Sequence, residues 1–437
     1  MKHELTMAEI AKFQKDYEQK PQNRVAELAV VNNGVAKASF DSEKVRKLNR
    51  TFSIEIPTDN VTDQKQSGRC WLFAALNTLR HGFAKKYRAK NFTFSQNYLF
   101  FWDRIERANI FFDNILNTAD RPLSDRTVHT YMQGPDTDGG QWAMAVSLIR
   151  KYGLAPTYAQ DESFTANNTA FFNQTLNNKL REDGLVLRKL AQAGQIDEIE
   201  AKRQEFLSEV YRMAVIAFGE PVQKFDLEFK DDDGKYQFDG DLTPLDFFHN
   251  YFTDDLDDYI VLFNAPDHEF DKLYALPFED NVEGGSPVHF LNTKIENLKE
   301  AAIKQLEAGE TFWFGCDVGK DSDRQKGILA HNLYQTDAIF NIETKLSKKE
   351  RLETGASGST HAMTMVGVDV VDGKPLQWKI ENSWGTKVGE KGYFVMDDKW
   401  FDEYLFKVVV KKQYVPEKLV EIWEGEATPV EAWDSMA

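Results

Sequence analysis

The stretch DQKQSGRCWLFAALNTLR, from Asp63 to Arg80, holds Cys70, one of two cysteines in 437 residues. Taken alone, a thiol followed by apolar residues is as readily a small buried hydrophobe as a nucleophile. Its setting favours chemistry. Gly68 gives a permissive backbone just before a pattern of helical period begins, so Cys70 falls in or near the first turn of a helix. The positive end of the helix dipole lowers a thiol pKa there and favours thiolate, which suits covalent catalysis.

A nucleophile of this kind needs a base. The stretch GSTHAMTMVGVDVVDGKPLQWKIENSWG supplies one. Residues alternate from His361 to Val368, which places His361, Met363 and Met365 on one strand face. Asp372-Gly373 signals a hairpin, and Leu376, Trp378, Ile380 and Asn382 alternate on the returning strand. If Val371 pairs with Lys374, Asn382 lies opposite Met363, diagonal to His361 and on its face. Diagonal neighbours are about 7–8 Å apart between Cα atoms, so the amide can accept from the imidazole and fix its tautomer. A slip of one residue would separate the two. Gln64 lies six residues before Cys70, and its amide, with the Cys70 N–H, can donate to a developing oxyanion. Trp384 can shield the His–Asn hydrogen bond from water. Gln64, Cys70, His361 and Asn382 thus supply each part of a thiol acyl-transfer site.

Other candidates carry less. Cys316 follows Gly315 in an apolar strand, lacks a nearby base, and reads as core. The remaining histidines show no metal-ligand spacing, so neither a metal nor another cofactor is expected. Asp231-Asp232-Asp233-Gly234 would put Phe229 and Gly240 at the first and twelfth positions of a calcium loop, where neither can be a ligand; a hairpin turn fits better.

These side chains need a scaffold. Leu72, Ala75, Leu76, Leu79 and Phe83 continue a helix from Cys70, and an aromatic-rich helix is expected around Ser95 to Glu106. Residues 1–60 read as a helix and an extended arm. An amphipathic helical stretch lies near Asn177 to Phe218, followed by a hairpin with Phe225, Leu227 and Phe229 alternating. A helix from Ile295 to Ala308 leads into the strand TFWFGCDV, and β-structure continues to about Val410. The Pro-bearing, acidic end carries two tryptophans and reads as a docked tail.

A net charge of −17 disfavours nucleic acid as a partner. No apolar run is long enough to span a membrane, and the N-terminus lacks the apolar core and cleavage site of a secretory signal. Two cysteines argue against a disulfide framework and for the cytoplasm; Asn-x-Ser/Thr triplets such as Asn60-Val61-Thr62 are then chance matches.

QKQSGRCWLFAALN, THAMTMVGV and KIENSWG, in that order, resemble the papain-like cysteine peptidases, and within them the bleomycin hydrolase and aminopeptidase C branch. DGGQWAMAVSLIRKYGLAP resembles the stretch that lines the cleft wall, through Gly139 and Gly140. The resemblance implies an α+β papain-like fold: a helical half at 61–160 and a β-rich half at 291–412, with an active-site cleft between them. A large, mainly helical insertion would occupy 161–290, with arms at 1–60 and 413–437. It implies catalysis by Cys70, His361, Asn382 and Gln64, with substrate met by Gly139, Gly140, Trp384 and the terminal Ala437. It further implies a homohexamer acting on peptides, whose C-terminal carboxylate in the cleft selects a free amine. The tail after Ala-Trp-Asp is a few residues shorter than the aminopeptidase C pattern, which leaves oligopeptidase or endopeptidase activity as the alternative. A retired scaffold, or an acyl transferase with Asp as third member, ranks below both.

Overall fold

The computed structural model describes residues 3–58, 60–252 and 255–437. Helix Cys70–Tyr87 is the spine of the helical half, with Trp71, Leu72, Leu76 and Phe83 all buried. It packs against helices Gln96–Asn117 and Trp142–Tyr152 on one side and against strand His361–Val371 on the other. Ser95 caps the second helix through the Tyr98 N–H at 3.1 Å. This helix runs well past the expected Glu106, because Phe111, Phe112 and Ile115 continue its apolar face into a separate cluster with Leu176, Leu180 and Val210. That cluster is completed by two helices, Ala170–Gln192 and Ile196–Phe218, where one amphipathic stretch was expected. Gly194, at φ +71°, makes the break between them.

The expected hairpin is present as strands Phe225–Lys230 and Tyr236–Leu242. Asp231 closes its turn by accepting from the N–H groups of Asp233 and Lys235 at 3.1 and 2.9 Å. The acidic cluster is therefore turn chemistry. The N-terminal region departs from expectation. Helices Met7–Glu18, Pro21–Asn33, Val35–Ser39 and Ser42–Lys47 replace a single helix and an extended arm, and Pro21 and Gly34 punctuate the first three.

The β-rich half is a twelve-stranded mixed sheet among the described residues. At its centre, strand His361–Val371 lies between Phe312–Cys316 and Lys374–Glu381, antiparallel to both. Strand Leu405–Lys411 pairs with Phe312–Cys316 and also with Tyr259–Phe263. Strands Tyr259–Phe263 and Lys272–Ala275 thus join this sheet from within the segment read as an insertion, and His289–Asn292 joins it across that segment's end.

The hairpin that carries His361 and Asn382 has the expected register at both ends: Val371 pairs with Lys374, and Thr364 with Glu381. Two bulges between these points cancel. Val366 is the extra residue on one strand and Leu376 on the other. Leu376 is therefore 52% exposed, out of step with Trp378 and Ile380, which are fully buried.

Candidate active site

Helix Cys70–Tyr87 begins at Cys70. The loop before it is held by Arg69, which is fully buried and donates to both Glu162 carboxylate oxygens at 3.0 and 2.7 Å and to Ser67 Oγ at 3.0 Å. Asp138 fastens the same loop from the facing wall. Its carboxylate accepts from the Gly68 N–H at 2.9 Å, and its carbonyl accepts from Trp71 Nε1 at 2.7 Å. Burial would raise the Asp138 pKa, but Arg104 and the hydrogen bonds it accepts hold it below the usual range.

Cys70 is only half-buried at its surface, yet protein surrounds it closely. The expected lowering of its pKa does not occur: burial pushes the thiol up, although the N–H groups of Ala362, Trp71 and Cys70 itself pull it down. His361 precedes Ala362, whose N–H approaches the thiol, so the imidazole stands one residue from that contact, at the start of the strand. His361 Nε2 donates to Asn382 Oδ1 at 3.0 Å, which leaves Nδ1 unprotonated. Burial lowers the His361 pKa to about 4; the Asn382 bond opposes that shift and the Arg324 charge adds to it.

Trp384 covers this hydrogen bond, with its ring 4.8 Å from the His361 ring. The Arg324 guanidinium lies 3.7 Å from the Trp384 ring centroid. Gln64 is buried, and both ends of its amide are engaged. Nε2 donates to the Ser67 carbonyl at 2.7 Å, so Oε1 must be the atom that accepts from Ser383 Oγ, also at 2.7 Å. One Nε2 hydrogen is left over to donate elsewhere.

Gly139 and Gly140 differ. A Cβ on Gly140 would come 2.6 Å from the Trp71 ring, so packing excludes any side chain there. A Cβ on Gly139 would meet nothing within 4 Å, as a position facing open space should. Ala437 is exposed, whereas its neighbour Met436 is fully buried in the cluster that contains Trp71 and Ala362 and against which Cys70 packs.

Cys316 is fully buried, as expected, but it is not remote from a base: it pairs directly across the sheet with His361. Burial pushes its thiol well above the ordinary range, which keeps it inert. Among the described residues no group of His, Cys, Asp and Glu can hold a metal ion, and no helix is long and apolar enough to cross a membrane.

Sequence reasoning missed four contributors. Ser383 sat in the quoted ENSWG block but was given no role. Asp138 likewise opened the quoted DGGQ block without a role, whereas Arg324 carries no local signal, since tertiary contacts alone bring it in. Lys407 is buried and donates from Nζ to Gln141 Oε1 at 2.6 Å; burial lowers its pKa to about 8. It fits because Gly315, its cross-strand partner, has no side chain to obstruct it.

Residues 4–437 match the Peptidase C1-like family. The chain is similar to aminopeptidase E of Lactobacillus helveticus, at 53% identity over 100% of both chains. It is also similar to aminopeptidase G of Lactobacillus delbrueckii subsp. lactis, at 51% over 100% of both. A crystal structure of pepw from Lactobacillus rhamnosis HN001 superposes with a TM-score of 0.98 at 45% identity, covering 100% of this chain and 99% of that one.

Proposed function

Because the chain belongs to the Peptidase C1-like family and is a cysteine-type peptidase of papain-like fold, we propose that it is an aminopeptidase. In this reading it releases residues from the amino end of peptides through a thioester on Cys70. The observation that carries the reading is the His361–Asn382 hydrogen bond at 3.0 Å, set beside a cysteine at a helix start. The aminopeptidase names of the relatives support the choice of the amino end.

The geometry supports the following sequence of steps. His361 Nδ1 takes the Cys70 proton as Sγ forms a bond to the substrate carbonyl carbon. Negative charge moves to the carbonyl oxygen, which accepts from the Cys70 N–H and the spare Gln64 Nε2 hydrogen. The C–N bond then breaks and the His361 imidazolium gives its proton to the departing amine. Water attacks the thioester with His361 again as base, and the acid leaves as the Cys70 proton is restored. Gly139 lines the cleft, Gly140 lets Trp71 pack beneath it, and Trp384 keeps the His–Asn bond dry. The C-terminal arm would meet the substrate amine through the Ala437 carboxylate.

We extend the reading to a cytoplasmic homohexamer. Two free cysteines suit a reducing compartment. Helices Met7–Glu18 and Pro21–Asn33 bury none of their residues and expose Met7, Val25 and Val31 at 78%, 70% and 77%, as an unfilled subunit contact would. The deciding experiment compares a free-amine peptide with its N-acetylated twin. Strong preference for the free amine is the expected result; equal turnover would replace the aminopeptidase with an endopeptidase built on the same site.

A further inference from the structure

The last residues of the chain are gripped in a way that packing alone does not require. Strand Thr428–Pro429 runs parallel to Tyr274-Ala275, and the Val430 N–H donates to the Ala275 carbonyl at 2.9 Å. Arg126 then covers the Trp433 ring at 4.0 Å. Beyond it, Asp434 Oδ2 accepts from His268 Nε2 at 3.0 Å. His268 Nδ1 lies 3.2 Å from Asp267 Oδ1, a charge contact too poorly aligned to count as a hydrogen bond. Asp267 Oδ2 accepts from Ser435 Oγ at 2.5 Å. The free oxygen of Asp434 accepts from the Met436 N–H at 2.9 Å, and the Asp434 carbonyl accepts from the Ala437 N–H at 3.0 Å.

One imidazole thus lies between two carboxylates, one from the body and one from the arm. Burial opposes its charge, but Asp267 and Asp434 outweigh burial and raise its pKa. The body side of the grip is rigid. Buried Asn292 donates to the carbonyls of Ala265 and Glu269 at 3.0 Å each, which pins the loop that carries Asp267 and His268 to the sheet. Nothing in the acyl-transfer steps uses these residues, and the grip falls just before Met436, which is buried in the large cluster against which Cys70 also packs.

We propose that His268 is the positioning residue of the arm: by bridging Asp267 and Asp434 it keeps residues 434–437 docked and so sets the preference for a free substrate amine. This rests on the aminopeptidase reading above. Two full-length variants test it, His268→Ala and Asp434→Asn, the latter changing only the arm. Timed release of Ala437 and Met436 by a carboxypeptidase, followed by mass spectrometry, reads docking without reference to activity. Both variants should release the tail faster by about tenfold, the weight of one charge-assisted hydrogen bond. The ratio of kcat/KM for a free-amine peptide to that for its N-acetylated twin should fall by about as much, which a purely structural role would not do. Unchanged tail release in both variants would overturn the clasp. Faster release with an unchanged ratio would overturn its link to selectivity. If the unaltered enzyme itself cleaves both peptides equally, the aminopeptidase reading fails, and the release assay still decides the clasp.

Discussion

In the proposed mechanism His361 is the base, and its surroundings keep it neutral. Burial brings its pKa to about 4, and the Arg324 charge above Trp384 contributes to that lowering. A neutral imidazole is the form that accepts the Cys70 proton, so activity is lost as pH falls through this pKa. Arg324→Gln removes a cation that disfavours imidazolium, hence raises the pKa, and should move the acid limb of kcat/KM to higher pH. A profile that stays in place would contradict the role given to Arg324. Asn382 orients the same ring, and Asn382→Ala should lower kcat by about 10²-fold or more with little change in KM. Gln64→Ala should cost about 10²–10³ in kcat, the usual weight of one oxyanion donor. Ser383→Ala, which only loosens the Gln64 amide, should cost less; steady-state kinetics on one peptide would rank all three.

At the scale of elements, two rods must stay in register: the helix that starts at Cys70 and the hairpin that ends at Asn382. Arg80 of the helix and Glu381 of the hairpin tie them at 2.8 Å, both nearly inaccessible, and His81 lies 3.2 Å from the same carboxylate. Arg80→Ala would leave a buried carboxylate short of a partner and should lower stability by about 3–5 kcal/mol in denaturant unfolding. No loss would show that the bond is dispensable. The helix and the hairpin were legible in the sequence because each is a local pattern: a helical stripe after Cys70, and alternation around Asp372-Gly373. The cancelling bulges at Val366 and Leu376 were not, since nothing local distinguishes a bulged residue from its neighbours. Strand Tyr259–Phe263 was missed for another reason. YIVLF is buried on both faces, and a continuous apolar run has no period to separate strand from helix. The N-terminal segment was read as a single helix and an arm because Pro21 and Gly34 cut it into pieces too short to show a sustained period, and the first two of these helices leave apolar residues uncovered.

Those uncovered stripes matter at the scale of the whole molecule. If they are subunit contacts, Val25→Asp together with Val31→Asp should reduce the mass seen by light scattering from that of a hexamer; a monomeric unaltered protein would contradict the hexamer outright. The arm belongs to this scale too, since residues more than 350 positions from Cys70 bring Met436 into the same core cluster against which Cys70 packs. Every part of the account still depends on which of two thiols reacts. Treatment with one equivalent of iodoacetamide, followed by peptide mass spectrometry and an activity assay, tests this directly. Carbamidomethylation at Cys70, with Cys316 unmodified and activity lost in proportion, is the predicted result. Loss of activity with Cys316 labelled and Cys70 free would contradict the account.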